Sequence, residues 1–175
     1  EDLVDVLVGA DGDAVISNIS YTGASIAAGT FSGGSPLGLD SGVILSSGDI
    51  ANVIGPNQQD GITANNGRPG DADLNSLVPE PNTNDASVLQ FDFECGAEDV
   101  FSFEYVFASD EYNEYTNSTY NDVFGFFLNG ANIALLDDGV TPVSVNTVNG
   151  GNPLGTDASN PALFVNNHLS DGGPL

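Results

Sequence analysis

The densest chemistry in the chain lies in Ser109-Asp110-Glu111-Tyr112-Asn113-Glu114-Tyr115-Thr116-Asn117-Ser118-Thr119-Tyr120-Asn121-Asp122. The carboxylates of Asp110, Glu111, Glu114 and Asp122 repel one another, and the hydrophobic stretches on either side hold the segment close to itself. A hard cation resolves that conflict, because Ca2+ takes roughly six to eight oxygens from carboxylates, amide carbonyls and backbone carbonyls. Asp110, Glu111, Glu114 and Asp122 are therefore the expected main ligands, with Asn117 and Asn121 assisting. The competing reading is a solvated acidic turn with no ion. Neither His nor Cys lies in the segment, which disfavours zinc and copper. Its spacing does not match an EF-hand loop. Glu111 and Glu114 also invite a reading as the paired carboxylates of a carbohydrate-active enzyme, which need a separation of about 5–10 Å across a sugar. Crowding by other acids and the lack of Trp for sugar stacking weigh against it.

A second acidic group, Asp71, Asp73 and Asp85, sits within or beside a long loop, and Asp71 and Asp73 are expected to close a second ion site. Asp40, Asp49 and Asp60 read as turn acids and helix caps. Asp137-Asp138-Gly139 reads as a hairpin loop. The single cysteine, Cys95, gives no internal disulfide and is expected as a buried thiol, the alternative being pairing with a cysteine of another segment or another chain. With the sole histidine at His168, a catalytic thiol is disfavoured. Asn18-Ile19-Ser20 and Asn117-Ser118-Thr119 match the glycosylation sequon, a short pattern that an Asn-rich chain produces by chance.

The elements that must position these residues read as strands. Of 175 residues, 22 are Gly and nine Pro, and charged residues make up only 15%, which points to a turn-rich all-β domain. Glu1 to Val8 reads as a short N-terminal helix, with Leu3 and Leu7 on one face and Gly9 ending it. Val15, Ile19 and Tyr21 alternate with polar residues, followed by short runs over 26–31 and 43–46. Gly55 to Asp85 is a long loop rich in Pro, Asn, Gly and Asp, of a length that usually signals function or a held ligand; the alternative is a linker between two domains, which the ordered turn signal at 70–74 weighs against. Leu89, Phe91 and Phe93, and then Phe101, Phe103, Tyr105 and Phe107, alternate as strands. Val123 to Leu128 is apolar on both faces, and Asn129-Gly130 predicts a hairpin returning through 133–136. A last strand is expected over 143–148, with 162–165 as a small apolar anchor. The expectation is one domain over 1–175, a β-sandwich of short, mostly antiparallel strands with long Gly/Asn/Asp-rich loops.

The charge balance limits partners. One basic side chain, Arg68, stands against 25 Asp and Glu, for a formal net charge of -24. Nucleic-acid binding through a basic patch is excluded, as is attraction to an anionic membrane surface. No apolar run approaches the roughly 18–20 residues of a membrane span, so direct insertion is not expected. Hydrophobic residues at 40%, with ten Phe and five Tyr, argue against disorder. The acid excess also suits a protein kept soluble in salt. The sequence has no Met, so Glu1 reads as a position inside a longer chain.

Several distinctive blocks follow one another along the chain: Ser20-Tyr21-Thr22-Gly23, Gly29-Thr30-Phe31, 42–48, Gly55-Pro56-Asn57, 70–74 and 85–89. They continue with Tyr105-Val106-Phe107-Ala108-Ser109-Asp110-Glu111-Tyr112, then Asn121-Asp122-Val123-Phe124-Gly125-Phe126-Phe127-Leu128, and then 142–149. In this order the blocks resemble the bacterial choice-of-anchor L domain family. The resemblance implies a secreted or cell-surface β-rich bacterial domain, found with varied C-terminal anchors or inside large surface proteins. A weaker similarity is to the Ca2+-dependent peptide-binding modules of giant bacterial adhesins. Family members continue past the position of Asp171-Gly172-Gly173 with further strands, whereas this sequence stops at Leu175. Those strands are expected to be missing or supplied by another chain, since open edges beside a Phe-rich core are costly. The expected function is a non-enzymatic Ca2+-binding module for cell-surface adhesion or assembly. Its partner is a protein or peptide, or a second copy joined through an open sheet edge. The alternative is a filament subunit completed by strand exchange.

Overall fold

The computed structural model describes residues 2–8, 14–55, 59, 61–62, 64–80, 82–96 and 102–167. Gly9, Pro56, Asn57, Asp60, Phe101, His168 and 171–173, which carry expectations above, lie outside the described residues. The fold is all-β, with eight short strands and two short α-helices among those residues. The strands form four separate two-stranded antiparallel ladders. By its contacts the chain divides into two compact units.

The first unit comprises 1–52, 64–68 and 85–106. It opens with helix α1, Asp2–Val8, whose Val4 is completely buried. Strand β1 (Val15–Thr22) pairs with β4 (Val88–Glu94), and β2 (Ala28–Ser32) pairs with β3 (Ser41–Leu45). Leu89, Phe91 and Phe93 alternate as expected, half-buried while Gln90, Asp92 and Glu94 are exposed. Strand β1 departs from its expected phase. The register shifts between Ser17 and Ser20, with Asn18 at φ +52° and its Nδ2 donating to Asp92 Oδ2 at 2.6 Å. This bulge puts Ile16 opposite Phe93 and Tyr21 opposite Leu89, and leaves Val15 64% exposed. Tyr21 then ties the unit together, its hydroxyl bonding Ala24 O and Ser87 Oγ, each at 2.8 Å. Cys95 is exposed rather than buried, because it lies just past Glu94, where β4 ends.

The second unit comprises 53–63, 69–84 and 107–175. Helix α2 (Ala72–Asn75) is one turn long. Strand β5 (Val123–Phe124) pairs with β8 (Val143–Ser144), and β6 (Phe127–Leu128) pairs with β7 (Ala131–Asn132). Asn129 and Gly130, both at positive φ, make the expected hairpin turn between β6 and β7. The expected continuous strand over 123–128 is broken in the middle. Asn132 Oδ1 accepts the Phe126 and Ala134 N–H groups at 3.0 and 3.1 Å, replacing ladder bonds by side-chain ones. The alternating residues 103, 105 and 107 do not form a strand, and 133–136 contributes one isolated bridge, Leu135 to Pro142. Beyond Ser144 the chain turns instead of extending, with Thr147 and Val148 N–H donating back to Ser144 O. Among the described residues of this unit Ala134, Val143 and Val145 are the buried apolar ones, all small, and Asn149, bonded to Val145 O, is completely buried as well.

Candidate metal site

The acidic segment is a series of tight turns pinned at both ends. Tyr115 N–H donates to Glu111 O at 3.0 Å, Thr116 N–H to Asn113 O at 3.3 Å and Ser118 N–H to Tyr115 O at 3.2 Å. These local bonds coil the backbone into successive turns. The ends are closed by Ser109, whose Oγ donates to Asp122 Oδ2 at 2.7 Å and accepts the Glu111 N–H at 3.1 Å. One hydroxyl therefore links the carboxylate of Asp122 to the backbone of Glu111. Asp110 Oδ2 accepts the Ile62 N–H. Tyr112 anchors the middle: its hydroxyl donates to Val148 O at 2.5 Å and its ring packs on Phe164 at 4.9 Å between centroids.

Electrostatics follow from this closure. Burial pushes the Glu111 carboxyl above its ordinary value, and the negative charges of Asp122 and then Asp110 push it further. Burial, with the Asp122 charge second, pushes the Tyr112 phenol up as well. Two oxygens in the same segment are buried without a hydrogen-bond partner, Asn113 Oδ1 and Thr116 Oγ1, and Thr116 is only 5% exposed. Unsatisfied buried oxygens in the segment that also carries Glu111, Asp110 and Asp122 are of the donor type a hard cation takes. Yet among the described residues no three or more Asp, Glu, His or Cys side chains are grouped closely enough to hold a metal ion as they stand.

The remaining expected ligands have other partners. Asn117, at φ +62°, donates its backbone N–H to Asn146 Oδ1 at 2.7 Å and its amide to Asp157 O at 3.0 Å. Asn121 Oδ1 accepts the Asn146 N–H at 3.0 Å while its Nδ2 donates to Glu80 Oε2 at 3.2 Å. Glu114 is held through its backbone carbonyl by Asn152 Nδ2 at 2.7 Å. Asp71 is the N-cap of α2, its Oδ1 accepting the Asp73 and Leu74 N–H groups at 2.9 and 3.2 Å. Asp73 lies in the first turn of the same helix. Asp85 belongs to the first unit, where its two oxygens accept the Arg68 and Asn66 N–H groups at 2.5 and 3.1 Å.

Four residues that the sequence did not single out do the positioning: Ser109, Tyr112, Asn146 and Asn149. Asn146 Nδ2 donates to Ser118 O at 2.8 Å, so this one side chain bonds the backbone of both Asn117 and Ser118. Asn149 Nδ2 donates to Val145 O at 2.9 Å, and its Oδ1 accepts from Gly151 and Ser159 at 3.0 and 3.1 Å. The available signal was the clustering of amides in Asn146-Thr147-Val148-Asn149, just after an apolar strand.

Among the described residues no helix is long and apolar enough to cross a membrane. No curated protein and no solved structure gives a significant match to the chain. A family model, the Choice-of-anchor L domain, matches residues 1–173. The chain belongs to the choice-of-anchor L domain family, a bacterial domain of secreted or cell-surface proteins.

Proposed function

We propose that this domain is a non-enzymatic surface module whose acidic segment binds Ca2+ and, once fixed, presents a face to a protein or peptide partner in adhesion or assembly. The observation that carries this reading is the Ser109–Asp122 hydrogen bond, which closes the segment and keeps Asp122 beside Glu111. Glu111, Asp122 and Asp110 would be the ion's carboxylates, with Asn113 Oδ1 and Thr116 Oγ1 as the nearest unpartnered oxygens in sequence. Glu114 would be drawn in on binding, while Asn117 and Asn121 act through the backbone they clamp. Asp73, with the second oxygen of Asp71, is what remains for a weaker second ion. Ca2+ would supply positive charge at the point where three carboxylates now repel. The partner face includes Tyr115 and Tyr120, stacked edge-on at 5.2 Å and 39% and 61% exposed. Calorimetric titration of the chelated chain with CaCl2 tests the reading, with Glu111→Gln and Asp122→Asn expected to weaken the binding. Heat no greater than dilution would sink it.

A second reading, a filament subunit, is favoured by the ladders themselves. Among the described residues β1 and β4 pair only with each other, so each keeps one edge for strand addition. Light scattering and negative-stain microscopy across a concentration series decide it, a strictly monomeric chain counting against.

A further inference from the structure

A cleft in the second unit has a composition that the calcium reading does not use. Its first wall is the turn 136–141, closed by Leu136 N–H to Thr141 O at 2.9 Å and Gly139 N–H to Leu136 O at 2.8 Å. The tip of that turn is Asp137-Asp138-Gly139. Asp138 caps it: Oδ1 accepts the Val140 and Thr141 N–H groups at 3.0 and 2.9 Å, and Oδ2 accepts Thr141 Oγ1 at 2.5 Å. Those bonds, the Thr141 hydroxyl first, hold the Asp138 carboxyl below its ordinary value, so it stays charged. Asp137 beside it accepts no hydrogen bond among the described residues. The opposite wall begins at Asn160, in the left-handed region at φ +46° and tied by its Nδ2 to Thr147 O at 2.8 Å, and runs on as the 3-10 turn Pro161–Leu163.

Between the walls is a cavity of about 300 Å³ lined by the apolar Leu136, Pro161, Ala162 and Leu163 together with Asn160 and the acidic Asp137 and Asp138. That volume is at the small end for ligand sites, the size of one long side chain rather than a large cofactor. A lining that combines apolar side chains with two carboxylates matches a ligand with an aliphatic stem and a cationic head, which buries the stem and keeps its charge in water. Leu163 is 54% exposed, so the apolar wall is open to such a stem. The 175 residues hold one basic side chain, Arg68, and no lysine, so another copy of them is a poor source of that head.

We propose that this cleft receives a lysine side chain from an extended segment of a different protein, its methylenes on Leu136, Pro161, Ala162 and Leu163 and its ammonium at Asp137 and Asp138. This gives a chemistry to the protein partner of the surface-module reading, on which it rests, and it does not depend on Ca2+. The test uses the isotope-labelled 175-residue chain in EDTA, so its outcome is separate from that of the calcium titration. Acetyl-Gly-Lys-Gly-amide is titrated at about 0.15 M salt, where unspecific attraction to the acidic surface is largely screened. Saturable shifts confined to the amides of 136–138, 160, 162 and 163 are expected, and the Nε-acetyl-lysine peptide should give none. Asp137→Asn should weaken binding up to about fivefold, the range of an exposed ion pair, and Leu163→Ser by about threefold through lost stem contact. Equal binding of the acetylated peptide, shifts spread over the whole acidic surface, or unchanged affinity in Asp137→Asn would overturn the assignment.

Discussion

Ser109 and Asp122, thirteen residues apart, are joined by a 2.7 Å hydrogen bond from the serine hydroxyl to the aspartate Oδ2. The same hydroxyl accepts the Glu111 N–H, so the start and end of the acidic segment meet at one side chain. Removing that hydroxyl has a specific consequence. Ser109→Ala should cost about 1–2 kcal/mol in urea unfolding, as expected for bonds to a charged, half-buried partner. It should also weaken Ca2+ binding about tenfold by releasing Asp122, the range of an outer partner that orients a ligand. Unchanged calcium affinity in a destabilised Ser109→Ala would separate the closure from the ion.

Glu111 makes stability depend on pH in a particular direction. Its folded pKa is raised by burial and by Asp122 and Asp110, so the folded state holds the proton more tightly than the unfolded chain. The resulting stability is full below the ordinary Glu value of 4.5 and is lost as pH rises through the raised folded value. Without Ca2+, urea midpoints should therefore show a fall attributable to Glu111 that begins near pH 4.5 and is complete once the raised folded value is passed. Glu111→Gln should remove that fall. Ca2+ affinity should rise over the same interval, since the ion and the proton compete for one carboxylate.

Asn149 is completely buried and bonds three backbone groups, of Val145, Gly151 and Ser159. Asn149→Ala would leave one carbonyl and two N–H groups without partners. The expected loss is roughly 2–4 kcal/mol, visible as a lower denaturation midpoint.

Asp71 should behave as a helix cap rather than as part of the main ion site. Asp71→Ala removes the acceptor for the Asp73 and Leu74 N–H groups and should cost about 1 kcal/mol. Calcium affinity at the 110–122 segment should stay at the wild-type value. A large drop there would show that Asp71 contributes to that site.

How legible this was from sequence differs residue by residue. The alternation of Leu89, Phe91 and Phe93 and the turn at Asn129-Gly130 were readable, because period and turn chemistry are local properties. Val15 was misplaced because a bulge at Asn18 changes the phase of β1, and a bulge leaves little trace in composition. The apolar run 123–128 read as one strand because the group that interrupts it, the Asn132 amide, lies on the returning strand. The site divides in the same way. Crowded acids were visible at once, whereas Ser109, Asn146 and Asn149 act through partners set by the fold, up to 29 residues away. Asp71 was recognisable as an acid but not as a cap, since its role depends on where α2 begins.

The central claim is that the acidic segment is completed by a divalent ion, and thermal melting tests it most directly. The chain is melted in EDTA, in CaCl2 and in MgCl2 at equal ionic strength. With free Ca2+ about a hundredfold above its Kd, linkage gives about 2.7 kcal/mol, or roughly 5–10 °C in Tm for a domain of this size. Ca2+ should produce that rise, Mg2+ should produce much less, and Glu111→Gln combined with Asp122→Asn should abolish it. Superimposable melting curves in EDTA and CaCl2 would contradict the account.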